Sequence, residues 1–589
     1  MPSDNLIGGA ETAVPTAAVD PNSGFCQSNA VFYSRRGPSP LPPADFLDVA
    51  TFIAAHAHDG GRTALIDAAT GTHLTYNQLW RAVGSVSARL SELGLRKGHV
   101  VLLLSPNSIF FPVVALSVIS VGAVITTVNP VNTPGEIAKQ IADSKPSLAF
   151  TTHHLLGKLA DAFKNGSVSS PVDVVLMDDC SHRYRYPSNT KIVSTLTKMI
   201  TCPAGSSCSR DRVSQNDVAT VLYSSGTTGA SKGVLSSHRS LIAVVQNVVR
   251  RHRIAVAERG VADGGKVSPA KFLCTIPMFH IYGLTMFSMG LLAAGATVVV
   301  VSSFSMDDML SSIERFGVTD LPLVPPILVS MVKDADRINM KYELGTLERV
   351  LCGASPLSKE VAAGFAATYP GVTVSQAYGL TESPWVASMD TAEEVRRQPG
   401  AVGKLLPNME ARIVAPESGE GLGVRRTGEL WLKGPYVMKG YLNNREATVS
   451  TLDANGWLKT GDICYIDDQG FLFVVDRLKE LIKYKGYQVA PAELEAVLLT
   501  HPQIDDAAVI PVPHKEVGQY PMAYVVRKAD SNLSRTDIMA FVAKEVAPYK
   551  KVREVEFISA IPKNPSGKIL RRNLIKLSTD TRNAPSSKL

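Results

Sequence analysis

None of the seven cysteines (26, 180, 202, 208, 274, 352 and 464) pairs with another in a C-x2-C spacing, and their number is odd. Neither a disulfide framework nor a cysteine zinc site is indicated, and a reducing compartment fits. Uninterrupted apolar runs of membrane length are also missing. Residues 100–135 and 272–306 are free of charge and long enough for the roughly 20 apolar residues of a span. Yet Ser105-Pro106-Asn107 and Pro112 break the first, and Gly290 and Gly295 break the second. The first reads as buried strand, turn, helix and buried strand, the second as ending in a strand over 296–302, so stable membrane insertion is not expected. There is no polybasic tail: 60 Lys and Arg face 53 Asp and Glu, a net charge of +7. Residues 478–589 hold 18 basic against 12 acidic residues, which places most of the excess in the last fifth of the chain. Interspersed acids argue against nucleic acid and leave small phosphate-bearing ligands as the expected partners of that end.

Hydrophobic residues at 45%, charged residues at 19% and aromatics at 7% exclude bulk disorder and collagen-like or coiled-coil composition. With 589 residues the chain exceeds the roughly 250 to 300 at which one core stops growing, so two or more domains are expected. Residues 1–45, rich in Ser, Pro, Gly and Ala, are expected as a flexible leader. Residues 579–589 are expected as a tail, ending in Ser587-Lys588-Leu589. That tripeptide is the address a peroxisomal import receptor reads, so the peroxisomal matrix is the expected location.

The strongest chemical signal follows the apolar residues 218–223. Ser224-Ser225-Gly226-Thr227-Thr228-Gly229-Ala230-Ser231-Lys232-Gly233 combines hydroxyls, glycines and one lysine after a buried strand. Glycines let backbone N–H groups approach phosphate oxygens, while hydroxyls and an ammonium add charge-assisted bonds. The spacing is not G-x-x-x-x-G-K-[ST], which disfavours a kinase or motor-type NTPase. A Gly/Ser/Thr hairpin or linker is the alternative reading of the same residues.

Together with four later motifs, this loop resembles the adenylate-forming superfamily of acyl-CoA synthetases, luciferases and peptide-synthetase adenylation domains. The others are QAYGLTES at 376–383, TGD at 460–462, DRLKELIKYKGYQVAPAELE at 476–495 and PKNPSGKILRR at 562–572. PMFHIYG at 277–283 and the spelling KYKGYQVAPAELE look most like the plant 4-coumarate-CoA ligase-like group. The resemblance implies an α/β fold with a large N-terminal domain of several subdomains over 46–477, built on parallel sheets with a small barrel-like part after about residue 400. A small mobile α+β domain would follow over 478–578. It implies two half-reactions, in which a carboxylate and ATP give acyl-AMP and pyrophosphate, and the thiol of CoA then gives the thioester and AMP.

The resemblance also implies roles. Ser224, Ser225, Gly226, Thr227, Thr228 and Lys232 would hold phosphates, and Gln376 and Thr381 the nucleotide and adenylate. Asp462 and Arg477 would hold the ribose, and Glu382 a Mg2+ ion. Lys568 would set its ammonium against the α-phosphate, and His280 would stand where ATP and acyl pocket meet. Lys479 would act as hinge, Lys483 and Gln488 would lie near the adenylate, and Lys485 and Gly486 would face CoA.

The acyl pocket would be lined by Tyr282, Met286, Ala354, Gln376, Ala377, Thr381 and Met389, most of them apolar. A ring hydroxyl left unpaired there would cost about 1 to 3 kcal/mol. Met286 stands where 4-coumarate ligases resemble a serine, Ala377 in place of a glycine, Ser303 in place of a lysine, and Trp385 adds bulk. Together with Ser587-Lys588-Leu589 these departures favour a more apolar acid handled in peroxisomes over 4-coumarate: a medium or long fatty acid, a jasmonate-precursor cyclopentanone acid or a cinnamate-type acid. A luciferase-like adenylate oxygenase and a non-catalytic binding protein are the alternatives to a CoA ligase.

Overall fold

The computed structural model describes residues 19–583 apart from 57–58, 166–171, 180–186, 188–189, 202–210, 225–230, 263–268, 356, 358, 485–486, 515–516 and 565–566. Short apolar strands set its scaffold. Val100–Leu104, Val124–Val128, Leu148–Thr151 and Asp173–Leu176 pair in parallel and are buried along nearly their whole length. Strands hidden on both faces need helices on either side, and Phe111–Ser120, nine of whose ten residues are buried, is one of them. The charge-free residues 100–135 thus resolve into strand, helix and strand. Among the described residues no helix is long and apolar enough to cross a membrane.

A second parallel set, Lys271–Cys274, Thr297–Val300, Asp320–Leu323, Arg349–Cys352 and Thr373–Leu380, runs through the middle of the chain. It continues into the antiparallel strands Ser383–Ser388, Gly403–Leu405, Phe471–Arg477, Leu458–Ile466, Gly428–Lys433 and Glu410–Val414. This antiparallel half stands where the small barrel-like part was expected. It joins the parallel half edge to edge in one sixteen-strand sheet among the described residues.

The described part of the expected leader departs from flexibility. Phe25–Cys26 and Val31–Tyr33 form strands, and the second extends the sheet beside Glu410–Val414. Phe32 is fully buried, and Arg36 pairs with buried Asp390 at 2.5 Å. Two phenylalanines and one valine supply enough apolar surface to leave water, although Pro, Ser and Gly dominate the stretch by count.

Beyond Arg477 the chain builds a smaller unit. Ile482–Tyr484, Tyr487–Val489, the long hairpin Ile504–His514 with Gly518–Arg527, and Glu554–Phe557 make a five-strand sheet. Helices Pro491–Leu499, Arg535–Glu545 and Arg571–Asn583 pack on it around separate cores, including Ile482, Leu494, Val509, Val525, Ile538 and Val555. The last helix runs past residue 578 into the stretch expected as a tail. Leu574 anchors it, and the Thr579 hydroxyl donates to the Ile575 carbonyl at 2.9 Å. Ser587-Lys588-Leu589 lies outside the described residues.

Candidate active site

Val218–Ser224 pairs antiparallel with Lys232–Ser237, with Ser224 opposite Lys232. The strands on either side of the Gly/Ser/Thr run are therefore antiparallel neighbours. Ser225, Gly226, Thr227 and Thr228 lie outside the described residues. At the base of the connection, Ser224 Oγ and Tyr441 Oη each donate to Glu382 Oε1 at 2.9 Å. Lys232 Nζ sits 4.9 Å from the Tyr441 ring centroid. Tyr441 gets there because its two-residue strand Gly440–Tyr441 adds to the edge beside Val234. Sequence reading passed over it, since a strand of two residues carries no periodicity. Among the described residues no group of three or more His, Cys, Asp or Glu gathers to hold an ion alone. A single carboxylate ringed by hydroxyls suits a hard cation that draws its other ligands from phosphate and water.

Asp462 and Arg477 face each other across the pair of strands Leu458–Ile466 and Phe471–Arg477. Arg477 Nε lies 3.2 Å from Asp462 Oδ1, and Tyr378 donates its hydroxyl to Oδ2. The fold of Thr460-Gly461-Asp462 is fixed locally: Thr460 Oγ1 donates to the Leu430 carbonyl at 2.7 Å and Gly461 N to Glu429 Oε1 at 3.1 Å. Gly461 takes φ 71°, where a side chain would be strained. Burial pushes the Asp462 carboxyl up, and Arg477, Tyr378 and Lys568 oppose it. Tyr378 belongs to a quoted motif but was not singled out; burial and the Asp462 charge raise its phenol well above the ordinary range.

The small domain delivers Lys568 to this place. A turn holds it: Lys568 N donates to Asn564 Oδ1 at 2.8 Å, Asn564 N to the Lys568 carbonyl at 2.9 Å, and Gly567 N to the Asn564 carbonyl at 2.8 Å. Gly567 takes φ 78° and passes so close to the large domain that a Cβ there would sit 3.0 Å from Pro326. Burial brings the Lys568 ammonium down to about 8; Arg477 adds to this, while Glu480 and Asp462 oppose it. Lys333 Nζ bonds Asp505 Oδ1 at 2.7 Å across the same domain boundary. The pose is the one that places Lys568 beside Asp462 and Arg477.

The segment Pro277–His280 is clamped by Asn107, whose Oδ1 accepts from Met278 N at 2.7 Å and whose Nδ2 donates to the Ile276 carbonyl at 3.3 Å. His280 caps the helix Ile281–Thr285 by accepting from Tyr282 N at Nδ1 (3.3 Å), which leaves Nε2 to carry the proton. Burial lowers its imidazole to about 4, so it is neutral at physiological pH. Tyr282 packs edge-on against Trp385 with centroids 6.2 Å apart. Met286 opens a one-turn π-helix, Met286–Gly290, of a kind often found at functional sites. Met286 and Met389, both buried, line one cavity with Trp385 and Leu351. Gln376 is buried opposite Cys352, Ala377 and Thr381 are part-buried, and Ala354 is exposed with φ 71°. Lys479 and Lys483 are exposed; Lys485 and Gly486, and the side chain of Gln488, lie outside what is described.

A hairpin with Ser224 and Lys232 at its base, a carboxylate and guanidinium pair, a lysine carried in from a second domain and a neighbouring buried cavity are parts an adenylate-forming ligase would use. Family matches agree: residues 52–442 match the AMP-binding enzyme family and residues 493–568 the AMP-binding enzyme C-terminal domain. The chain belongs to the AMP-binding enzyme family. It is 60% identical over 564 residues to an Arabidopsis thaliana protein named peroxisomal OPC-8:0-CoA ligase 1, covering 96% of this chain and 99% of that one. It is 58% identical over 96% of its length to a Humulus lupulus protein named probable CoA ligase CCL5, covering 98% of that chain. Among solved structures, ATP-bound MatB from Rhodopseudomonas palustris superposes with a TM-score of 0.77 at 25% identity, over 91% of this chain and 99% of that one. The protein is an AMP-forming acyl-CoA ligase of the plant 4-coumarate-CoA ligase-like group, using ATP, CoA and a small carboxylic acid.

Proposed function

We propose that the acid is a jasmonate-precursor cyclopentanone acid and that its activation takes place in the peroxisomal matrix. The 60% identity to the Arabidopsis protein named peroxisomal OPC-8:0-CoA ligase 1 carries this reading. Ser587-Lys588-Leu589, the form an import receptor binds, supports the address.

In the first half-reaction a carboxylate oxygen bonds the α-phosphorus as the bond to pyrophosphate breaks, so two anions must meet. Ser224, Ser225, Gly226, Thr227, Thr228 and Lys232 cradle the phosphates; Lys568 faces the α-phosphate and the incoming carboxylate, lowering the charge repulsion where it peaks. Asp462 accepts from the ribose hydroxyls, and Arg477 donates from the other side; their 3.2 Å pairing supports that assignment. Gln376 and Thr381 hold the nucleotide, and the neutral His280 guards the passage between nucleotide and acyl chain. Glu382 would hold Mg2+, which would supply positive charge against the phosphates. Rotation about Lys479 then removes Lys568 and brings Lys485 and Gly486 to CoA, whose thiol gives its proton to solvent as its sulfur bonds the acyl carbon and AMP leaves with the electron pair. Lys483 and Gln488 join the adenylate in that step.

The test is ATP- and CoA-dependent thioester formation over hydroxycinnamates, cinnamate, benzoates, C6 to C18 fatty acids and cyclopentanone acids, followed by mass spectrometry. A cyclopentanone acid should give the highest kcat/KM; a hydroxycinnamate in first place would overturn the substrate assignment. Met286→Ala should shift the preference toward longer or bulkier acids by roughly tenfold, the scale of one methylene in an apolar pocket. An unchanged acid profile would take Met286 out of the pocket.

A further inference from the structure

The cavity below Met286 is not apolar throughout. Three tiers of side chains share one face of the parallel sheet. Gly353 and Ala377 form the upper tier beside Tyr282, where Gly353 has Tyr282 within 3.4 Å of its Cβ position. Leu351, Ser375 and Pro322 form the middle tier, and Arg349, Thr373 and Asp320 the lower, as strand register dictates. From Ala377 to Thr373 is four residues, about 13 Å at about 3.3 Å per residue. The cavity follows this face downward, with Met286, Leu351 and Met389 along its side.

At its lower end the lining changes to donors. Arg251, on the long helix His238–Ala262, spends Nη2 on the Met389 carbonyl at 2.9 Å and sets Nε 3.4 Å from Asp390 Oδ1. That Nε is buried and makes no hydrogen bond among the described residues. Arg349 gives Nη2 to the Ala255 carbonyl at 2.7 Å, and its Nη1 is buried without a partner. Trp385, only 2% exposed, lines the same cavity and has an unpartnered Nε1, and His252 Nδ1 is likewise unpartnered. Buried N–H groups without acceptors are costly, and their gathering at one end of a cavity calls for an acceptor to satisfy them. Asp390 is shared by Arg36, Arg250 and Arg251, and with Glu394 on Arg36, Glu258 on Arg349, and Asp320 and Glu348 on Arg259, the five arginines around this end face five carboxylates. A second carboxylate would add an uncompensated charge, whereas a neutral carbonyl accepts N–H groups without one.

We propose that Arg251, with Trp385, forms a distal subsite that donates hydrogen bonds to a neutral carbonyl oxygen of the acid, at the far end of its aliphatic chain. The inference rests on the proposed cyclopentanone-acid substrate and deepens it, by naming what in this chain reads the ketone. Burial holds His252 at about 4, so it is a neutral neighbour rather than a competing cation.

The test measures kcat/KM for matched pairs: a cyclopentanone acid against its cyclopentane counterpart, an oxo fatty acid against its parent, and a dicarboxylic acid of the same length. Wild-type enzyme should prefer each oxo acid over its deoxo partner by about tenfold or more, the scale of a buried hydrogen bond. Arg251→Gln should collapse that ratio toward one, and Trp385→Phe, which keeps the ring shape, should lower it in part. A ratio near one in the wild type, equal losses for both members of each pair in the variants, or a preference for the dicarboxylate would overturn the subsite. If the ring acids are not substrates but the oxo fatty acid keeps its ratio and loses it in Arg251→Gln, the subsite stands and the substrate assignment falls. If the ring acids are substrates with a ratio near one, the reverse holds.

Discussion

Lys568→Ala should reduce acyl-AMP formation by about 10² to 10³, the cost of removing one preorganised charge from a site where the transition state develops its own. The same variant should still make thioester from supplied acyl-AMP, because the role proposed for Lys568 lies in the first half-reaction only. The geometry is specific about why: the Asn564 to Lys568 turn, closed by three hydrogen bonds, fixes the lysine backbone beside Asp462 and Arg477. A pH signature follows. The ammonium titrates near 8 because burial, then Arg477, lowers it. The cationic form is the useful one, so adenylation kcat/KM, which reports the free enzyme, should fall as pH rises through about 8. That limb should vanish in Lys568→Ala. Loss of both half-reactions in this variant would mean that the lysine serves the fold or the domain contact instead.

Lys479→Pro should separate the two half-reactions in the opposite sense. Lys479 is exposed, in a turn closed by Leu478 N donating to the Gly461 carbonyl (2.8 Å) and Glu480 N and Leu481 N donating to the Arg477 carbonyl (2.9 and 3.1 Å). Its own N–H is not among those bonds, so proline removes none of them; it does lock one backbone torsion and restrict the preceding residue. Adenylate should form and accumulate while thioester formation falls by about 10²-fold, the scale of a small misplacement of reacting groups. Lys479→Ala, which keeps the torsion free, should retain both steps. Equal loss of both steps in the proline variant, with a normal alanine variant, would point to a broken turn rather than a blocked rotation.

The scaffold was legible where punctuation was strong. Pro, Gly and Asn breaks divided residues 100–135 correctly because a parallel strand buried on both faces leaves an apolar run with sharp ends. The site's charged residues were legible through the resemblance, since motifs far apart in sequence meet only in the fold: Ser224 and Glu382, or Asp462 and Lys568. Tyr441 and Tyr378 escaped because a phenol that orients a carboxylate has no spacing of its own. The described part of the leader, residues 19–45, departs from the expectation drawn from composition, because one buried Phe32 and one Arg36 to Asp390 pair outweigh many prolines and serines. At the cavity floor Arg251 and Arg349 were passed over, and Trp385 was read for its bulk alone. Arg251, Arg349 and Trp385 lie on a helix and two different strands, and an arginine pair inside a long helix, Arg250-Arg251, reads from sequence as a solvated face.

The measurement that bears most directly on the chemistry is acid-dependent exchange of labelled pyrophosphate into ATP in the absence of CoA. Exchange that appears only when a cyclopentanone or other accepted acid is added, with AMP as the nucleotide product once CoA is supplied, is the expected result. No exchange under conditions where thioester still forms, or release of ADP and phosphate in place of AMP and pyrophosphate, would contradict activation through an acyl-adenylate.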